Sequence, residues 1–365
     1  MIAKNTQNAG HKLYSVASYG NFQGKMVELG VFMNTKELVL KFFSENAGHR
    51  VSGEELAALC GVSRAAVWKA VSALRSEGLE IQATTGGGYI FKNETESFSK
   101  EYFFSFLASK INGLKIDNIE VFDVIDSTNS RCRRLLARSG NPCNLNGTFV
   151  FAESQSEGRG RFGRTFVSPE KTGVYFSVIY APEKMNVESF EITAFSAVAV
   201  CRVLKRLYGI DVKIKWINDL FFEGKKICGI LTEGFTNFET GNVECAVIGA
   251  GINLFSNDEA FKGELEEKAG FIFKSKTEKD QRCIVASEAA WEIFNIFNEE
   301  SEKILNEYKE LCFLMGKNIT VTDVSKSTVK CQGKVVDIDR KFCLVVEKSS
   351  GERVSVNSGD VSVIL

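Results

Sequence analysis

Histidine is nearly absent: the 365 residues hold two, His11 and His49. Everything after residue 49 lacks an imidazole, which excludes Ser-His-Asp and Cys-His catalysis and His-ligated metal sites there. Long apolar runs are missing too. None approaches the ~20 residues that cross a bilayer, so a membrane-spanning helix is excluded. Net charge is also small, with 45 Lys and Arg against 46 Asp and Glu. No global field selects nucleic acid or a membrane surface, and such contact needs a local patch. No CxxC occurs among the ten cysteines, most of which sit inside apolar runs such as CAVIGAGI, KICGIL and KFCLVV. With no secretory signal, they read as reduced thiols of a cytoplasmic protein.

Arginine is missing from Met1 to Met33, and no apolar periodicity organises that stretch. This argues against an Arg-rich transit peptide and leaves residues 1–34 as a loosely ordered extension. The remaining length predicts two or three domains, because single cores rarely grow past ~250 residues.

What is present begins with three short helices. Thr35 can cap a helix carrying Leu38, Val39, Phe42 and Phe43, ending near Gly48. Ser52 and Glu55 form a capping-box signature opening Glu54–Cys60. Gly61 breaks that helix, and Ser63 caps Arg64–Ser76, whose Ala66, Val67, Ala70, Val71 and Leu74 line one face. Arg64, Ala65, Trp68 and Lys69 fall nearer the other. Leu79–Ile81 and Tyr89–Phe91 flank a Gly-rich tip at 84–88, completing a winged helix-turn-helix over residues 35–92. The DNA-facing candidates are Ser63, Arg64, Ala65, Trp68 and Lys69. Seven Lys and Arg against six Asp and Glu in this segment make a weak electrostatic footprint, so three helices without a DNA role remain an alternative.

Residues 93–315 read as a mixed α/β domain. Expected strands are Glu120–Ile125, Gly147–Ala152, Gly173–Tyr180, Val212–Trp216, Cys228–Glu233 and Val243–Ile252. Expected helices are Thr128–Arg138, Phe190–Tyr208 and a long stretch over Gln281–Met315. Residues 316–365 alternate in short β segments with Gly and Ser turns, which predicts a small antiparallel barrel. The whole is α+β.

The segment GRGRFGR, Gly158 to Arg164, formally satisfies G-x-G-x-x-G. A dinucleotide fold needs a helix straight after the glycines, and here Pro169 and β-rich sequence follow. Three arginines on a glycine-rich loop instead describe a mobile cationic lid for phosphate or an activated carboxyl group; a solvated basic loop is the bland alternative. Asp126-Ser127-Thr128-Asn129 stands where a strand yields to a helix, offering hydroxyls and an amide at a helix N-terminus or simple capping. Lys215-Trp216-Ile217-Asn218-Asp219, Lys225–Leu231 and Gly249-Ala250-Gly251-Ile252-Asn253 add cations, a carboxylate and glycines that permit close approach. Together they suit nucleotide chemistry with Mg²⁺ and without histidine.

DSTN, ESQSEGRGRFGR, KWIND, KKICGIL and IGAGIN, in that order behind SGEELAALCGVSRAAVWKAV, resemble the biotin protein ligase family in its bifunctional ligase/operon-repressor form. The resemblance covers about residues 35–365. One departure is Ile217, where the family has proline between Trp and Asn; a less constrained turn is expected. The resemblance implies a class II synthetase-like central domain and an SH3-like C-terminal domain. It implies formation of biotinyl-5′-adenylate from biotin and ATP, then transfer to a lysine of a biotin carboxyl carrier protein.

By the same resemblance, Arg161, Lys226 and Asp219 are catalytic. Ser127, Thr128, Asn129, Gln155, Arg159, Gly160, Arg161, Lys226 and Gly229 bind biotin. Arg159, Arg161, Arg164, Lys215, Asn218 and Asn253 serve ATP and its phosphates, and Asp219 and Asn253 are assigned to Mg²⁺. Operator DNA and a ligand-induced homodimer are the further partners implied, with no membrane. A biotin sensor without ligation and a lipoate ligase are the alternatives.

Overall fold

The computed structural model describes residues 34–364 apart from 47, 78, 85, 86, 92–97, 186, 237–242, 258, 259, 275–280 and 324–327. The expected N-terminal extension up to residue 33 and part of the wing tip lie outside the described residues. Two compact units result, one from the chain up to Ser97 with Ile111–Lys115, the other from Phe98–Lys110 with Ile116–Leu365.

In the first unit, α1 (Thr35–Glu45) starts one residue later than its cap. Asn34, not Thr35, is the N-cap: its Oδ1 accepts from Glu37 N at 3.0 Å, and Glu37 Oε2 accepts from Asn34 N at 3.1 Å. A short strand that the sequence pattern did not suggest, β1 (Arg50–Ser52), precedes α2 (Gly53–Cys60). The Ser52–Glu55 capping box is present, and Gly61 ends α2 in the left-handed region at φ +62°, where a Cβ is disfavoured. Then come α3 (Arg64–Ser76), β2 (Ile81–Thr84) and β3 (Gly88–Phe91), with strand order β1-β3-β2. Val67, Ala70, Val71 and Leu74 of α3 are buried, while Ala66 is only half-buried.

The second unit opens with α4 (Lys100–Ala108), also unforeseen: Ser99 caps it and nearly all of it is buried. Strands β4 (Ile119–Ile125), β5 (Thr148–Gln155), β6 (Gly173–Tyr180), β7 (Lys213–Lys215), β8 (Asp219–Phe222), β9 (Lys225–Thr236) and β10 (Val243–Asn253) form one sheet ordered β4-β5-β6-β10-β9-β8-β7. Only β4–β5 is parallel. Alternation along β5 divides the two faces. Phe149 and Phe151 meet Phe294 and Phe103, the latter stacked at 3.8 Å, whereas Val150 joins Ile179 and Val247 beneath Cys132 and Leu136 of α5 (Thr128–Arg138). Helix α6 (Ser189–Tyr208) ends at Gly209, φ +68°. After the short α7 (Glu264–Lys268), the expected long helix is broken into α8 (Arg282–Asn295), a 3₁₀ turn and α9 (Ser301–Leu311). The break brings Glu299, between the helices, and Glu307 onto Arg202 of α6, at 2.6 Å each.

Strands β11 (Asn318–Asp323), β12 (Thr328–Ile338), β13 (Leu344–Glu347), β14 (Arg353–Val356) and β15 (Asp360–Val363) make an antiparallel sheet ordered β14-β13-β12-β11-β15. No single helix among the described residues is long and apolar enough to cross a membrane.

Candidate active site and helix-turn-helix surface

The loop after β5 is closed by its own stem. Gln155 N donates to Ser168 O at 3.1 Å, Phe166 N to Gly158 O at 2.8 Å, and Gly160 N to Arg164 O at 2.7 Å. Gly158 has no room for a Cβ, which would strike Phe166 O and Ser168 Oγ. The three arginines of the loop are therefore carried on a compact pinned turn.

On one side of this loop lies a polar cluster. Ser127 caps α5; Thr128 N donates to Gln155 Oε1 at 2.9 Å, and Gln155 Nε2 donates to Ser168 Oγ at 2.9 Å. Asn129 Nδ2 donates to Glu233 Oε2 at 2.8 Å and Leu231 O at 3.2 Å. The hydroxyl of Ser177, fully buried, lies 2.7 Å from Thr128 Oγ1 and 2.6 Å from Asn129 Oδ1. Ser177, Ser168 and Glu233 carried no signal in the sequence, because only the folded sheet brings them near α5. Gly249 is needed here, since a Cβ would collide with the Asn129 amide.

On the other side the cations gather. KWIND is not the end of one strand. Lys215 closes β7, residues 216–218 turn, and Asp219 opens β8, paired with Lys215. Hydrogen bonds hold the turn despite Ile217: Tyr308 OH donates to Ile217 O at 3.2 Å, Asn218 Nδ2 to Ile230 O at 2.9 Å, and Ile230 N to Asn218 O at 3.0 Å. Trp216 Nε1 donates to Phe342 O at 2.7 Å. Into this frame Arg161 Nη1 donates to Asn218 Oδ1 at 2.9 Å, while Lys226 Nζ lies 2.6 Å from Asp219 Oδ1. Burial pulls the Arg161 guanidinium below its ordinary pKa, with the Asp219 and Asp360 carboxylates opposing. Arg164 reaches Asp360 of β15 at 2.6 Å. Gly359 and Asp360 thus line the same cavity as Arg161, Lys215 and Lys226, a contribution from ~200 residues downstream that no local pattern announced.

The sequence-derived candidates therefore fall into two adjoining cavities. Thr128, Asn129, Ser127 and Gln155 line one; Gly160, Arg161, Arg164, Lys215, Asn218, Asp219 and Lys226 line the other; Arg159 and Gly229 line both. Asn253 lines neither. It ends β10, buried, and its Oδ1 is without a hydrogen-bond partner among the described residues.

In the first unit, Ser63 Oγ accepts from Ala66 N at 3.2 Å and so starts α3. Arg64, Ala65, Trp68 and Lys69 are exposed on the face opposite the core, Trp68 by 61%.

Comparison with known proteins matches three domains in sequence. Residues 121–253 match the biotin/lipoate A/B protein ligase family, residues 35–90 an HTH domain, and residues 314–363 the biotin protein ligase C terminal domain. The bifunctional ligase/repressor BirA of Bacillus subtilis is 28% identical over 89% of this chain and 97% of its own. That of Escherichia coli is 32% identical over 56% of this chain and 59% of its own. A solved biotin protein ligase from Aquifex aeolicus, in complex with biotin and ATP, superposes with TM-score 0.54 at 22% identity, covering 68% of this chain and 98% of that one, and shares the fold. With these three matches in this order, the chain is similar to biotin protein ligases along most of its length.

Proposed function

We propose that this protein is an ATP-dependent biotin protein ligase that also acts as a biotin-responsive repressor. It joins biotin and ATP into biotinyl-5′-adenylate, then passes the biotinyl group to a lysine of a biotin carboxyl carrier domain in the cytoplasm. The observation that carries this reading is the meeting of Arg161, Lys215 and Lys226 in one cavity beside the cluster of buried Thr128 and Asn129 with half-buried Gln155. The named relatives are ligase/repressors, and the Aquifex structure holds biotin and ATP.

In the first step a biotin carboxylate oxygen bonds to the α-phosphorus, and the bond to the β-phosphate oxygen breaks to release pyrophosphate. Two anions must meet, so cations set the barrier. Lys226 and Arg161 face the carboxylate and α-phosphate, with Arg164 and Lys215 on the remaining phosphates. The polar cluster takes the ureido head of biotin. In the second step the carrier lysine attacks the acyl carbon and AMP leaves. At an unperturbed pKa near 10.4, only about one lysine in 2,500 is neutral at pH 7. Asp219, freed from Lys226 when Lys226 turns to the substrate, takes the proton.

Of the two residues assigned to Mg²⁺, Asn253 has a buried carbonyl oxygen without a hydrogen-bond partner among the described residues but lines neither cavity, whereas Asp219 lines the cationic one. Asp219 already holds Lys226, and no group of three or more His, Cys, Asp or Glu able to hold a metal ion occurs among the described residues. A bound Mg²⁺ would neutralise phosphate charge.

The regulatory half rests on α3. Arg64 and Lys69 suit phosphates, and Trp68 and Ala65 suit apolar contact with base edges. One module with seven cations against six anions binds DNA weakly, so two copies are required, brought together as a dimer loaded with the adenylate on a palindromic operator.

The deciding experiment offers radiolabelled biotin or lipoate, with ATP and a carrier domain, and follows carrier labelling and pyrophosphate release. Biotin labelling without lipoate labelling is expected. Lipoate labelling would replace the substrate, and biotin binding without pyrophosphate would leave only a sensor.

A further inference from the structure

Between the two halves of the site stand Phe166, Arg159, Leu231 and Gly229, which line both. A ligand with its head among Thr128, Asn129 and Gln155 and its carboxylate at Lys226 and Arg161 must run continuously from one cavity to the other. Instead there are two spaces, about 20 Å³ on the polar side and about 110 Å³ on the cationic side. The smaller holds roughly one water; no fused bicyclic ring fits. Phe166 walls both.

Its ring lies against the one place where the sheet is bare. Gly229 of β9 and Gly251 of β10 are register partners. A Cβ on Gly251 would collide with the Phe166 ring, and one on Gly229 would stand 3.1 Å from Phe166 Cε2. The glycine pair makes a shallow apolar notch, and the ring fills it. Around it, the polar groups meant for a ligand are already bonded to one another: Thr128 to Gln155, Gln155 to Ser168, and Asn129 to Glu233 and Leu231. Self-satisfied polar groups and a filled apolar notch describe a site occupied by its own loop.

We infer that Phe166 is the access-determining residue of the biotin subsite, standing in the place of the ligand's ring system until it swings out. This rests on the ligase reading above. The motion has a defined pivot: Phe166 N is tied to Gly158 O and the stem closes at Gln155–Ser168, so the side chain can leave the notch while the loop stays pinned. Ligand entry then waits on an internal event, and the association rate levels off as concentration rises.

Stopped-flow fluorescence with biotin as the probe, read through Trp216 in the cavity wall, tests this. In the wild type the observed rate is expected to saturate with biotin. In Phe166→Ala it should climb linearly, with an association rate constant at least tenfold higher; Phe166→Leu, which keeps an apolar side chain on the loop, should fall between. Wild-type rates in both variants, or a linear wild-type dependence, overturn the gate while leaving the ligase reading intact. A wild-type protein that binds no biotin removes the ligase reading and the gate with it.

Discussion

The cations of the two functional regions start from opposite conditions. In the cleft, the half-buried Arg161 and Lys226 already lie against Asn218 and Asp219. On α3, Arg64 and Lys69 stand exposed and have no ion pair among the described residues. A half-buried cation without a partner loses hydration with nothing in return, so the cleft supplies partners that, on the proposed reading, a phosphate or carboxylate displaces. An exposed cation needs none, because water solvates it. Binding in the cleft is therefore an exchange of partners, whereas binding at the helix is a release of counterions and falls with salt.

Arg161→Ala should break the cleft most. Losing one charge-assisted donor at a developing anion costs about 2.7–4 kcal/mol, or roughly 10²–10³ in rate. Pyrophosphate release should drop accordingly, and the adenylate should leak and label nearby lysines. An unchanged rate with full carrier selectivity would show that the loop arginine is a bystander.

Next in size are the helix variants. Lys69→Ala should lower operator affinity and reduce the slope of log K against log salt by about 0.9, with carrier biotinylation untouched. Trp68→Ala should lower affinity at unchanged slope, since an indole releases no counterion. Titrations at several salt concentrations, with and without biotinyl-adenylate, separate the two. Equal slopes for wild type and Lys69→Ala would erase the contrast between cleft and helix.

Smaller still is the tie between Arg164 and Asp360. Both side chains are substantially exposed, 59% and 40%, so a double-mutant cycle on stability should return roughly 0.2–1 kcal/mol. Burial works to raise the Asp360 pKa, but the Arg164 hydrogen bond and the charges of Arg164 and Lys215 hold it below the ordinary carboxylate range. A depressed folded pKa gives stability that is present above the unfolded value and lost as pH falls through the folded one. The coupling should persist at pH 7 and disappear in strong acid; thermal melts across that range measure it.

The smallest effect belongs to Asp126, whose carboxyl is held at about 2 chiefly by its hydrogen bond to Arg134. Its contribution should be complete above about pH 4 and fade towards pH 2. Asp126→Asn should flatten only that limb of the acid unfolding curve.

Local signals were legible where the chain folds on itself over a few residues. The Ser52–Glu55 box, the Ser63 cap and the Gly61 stop stand where the sequence pattern puts them. Where the pattern ran ambiguous, context decided. Asn34 took the cap from Thr35 because its amide could form a reciprocal box with Glu37. The helix expected over 281–315 broke near residue 300, where acidic side chains gather on Arg202. Strand β8 escaped notice because Trp216 and Ile217 read as a strand's continuation, although they lead into a tight hairpin held by Tyr308 and Ile230.

By itself, the order of short motifs carried the likeness to biotin protein ligases, the order of the domains and about half of the residues that line the two cavities. Those motifs state which charges and donors are available, and chemistry leaves few uses for them. The tertiary structure alone decided who holds whom: Ser177 and Glu233 on Asn129, Asp219 on Lys226, Asp360 on Arg164 and Phe166 over Gly229 and Gly251. Asp219 and Lys226 meet across the short β8–β9 hairpin; the other pairs join segments far apart in the chain, and their meeting depends on strand register and loop closure rather than on any local spacing.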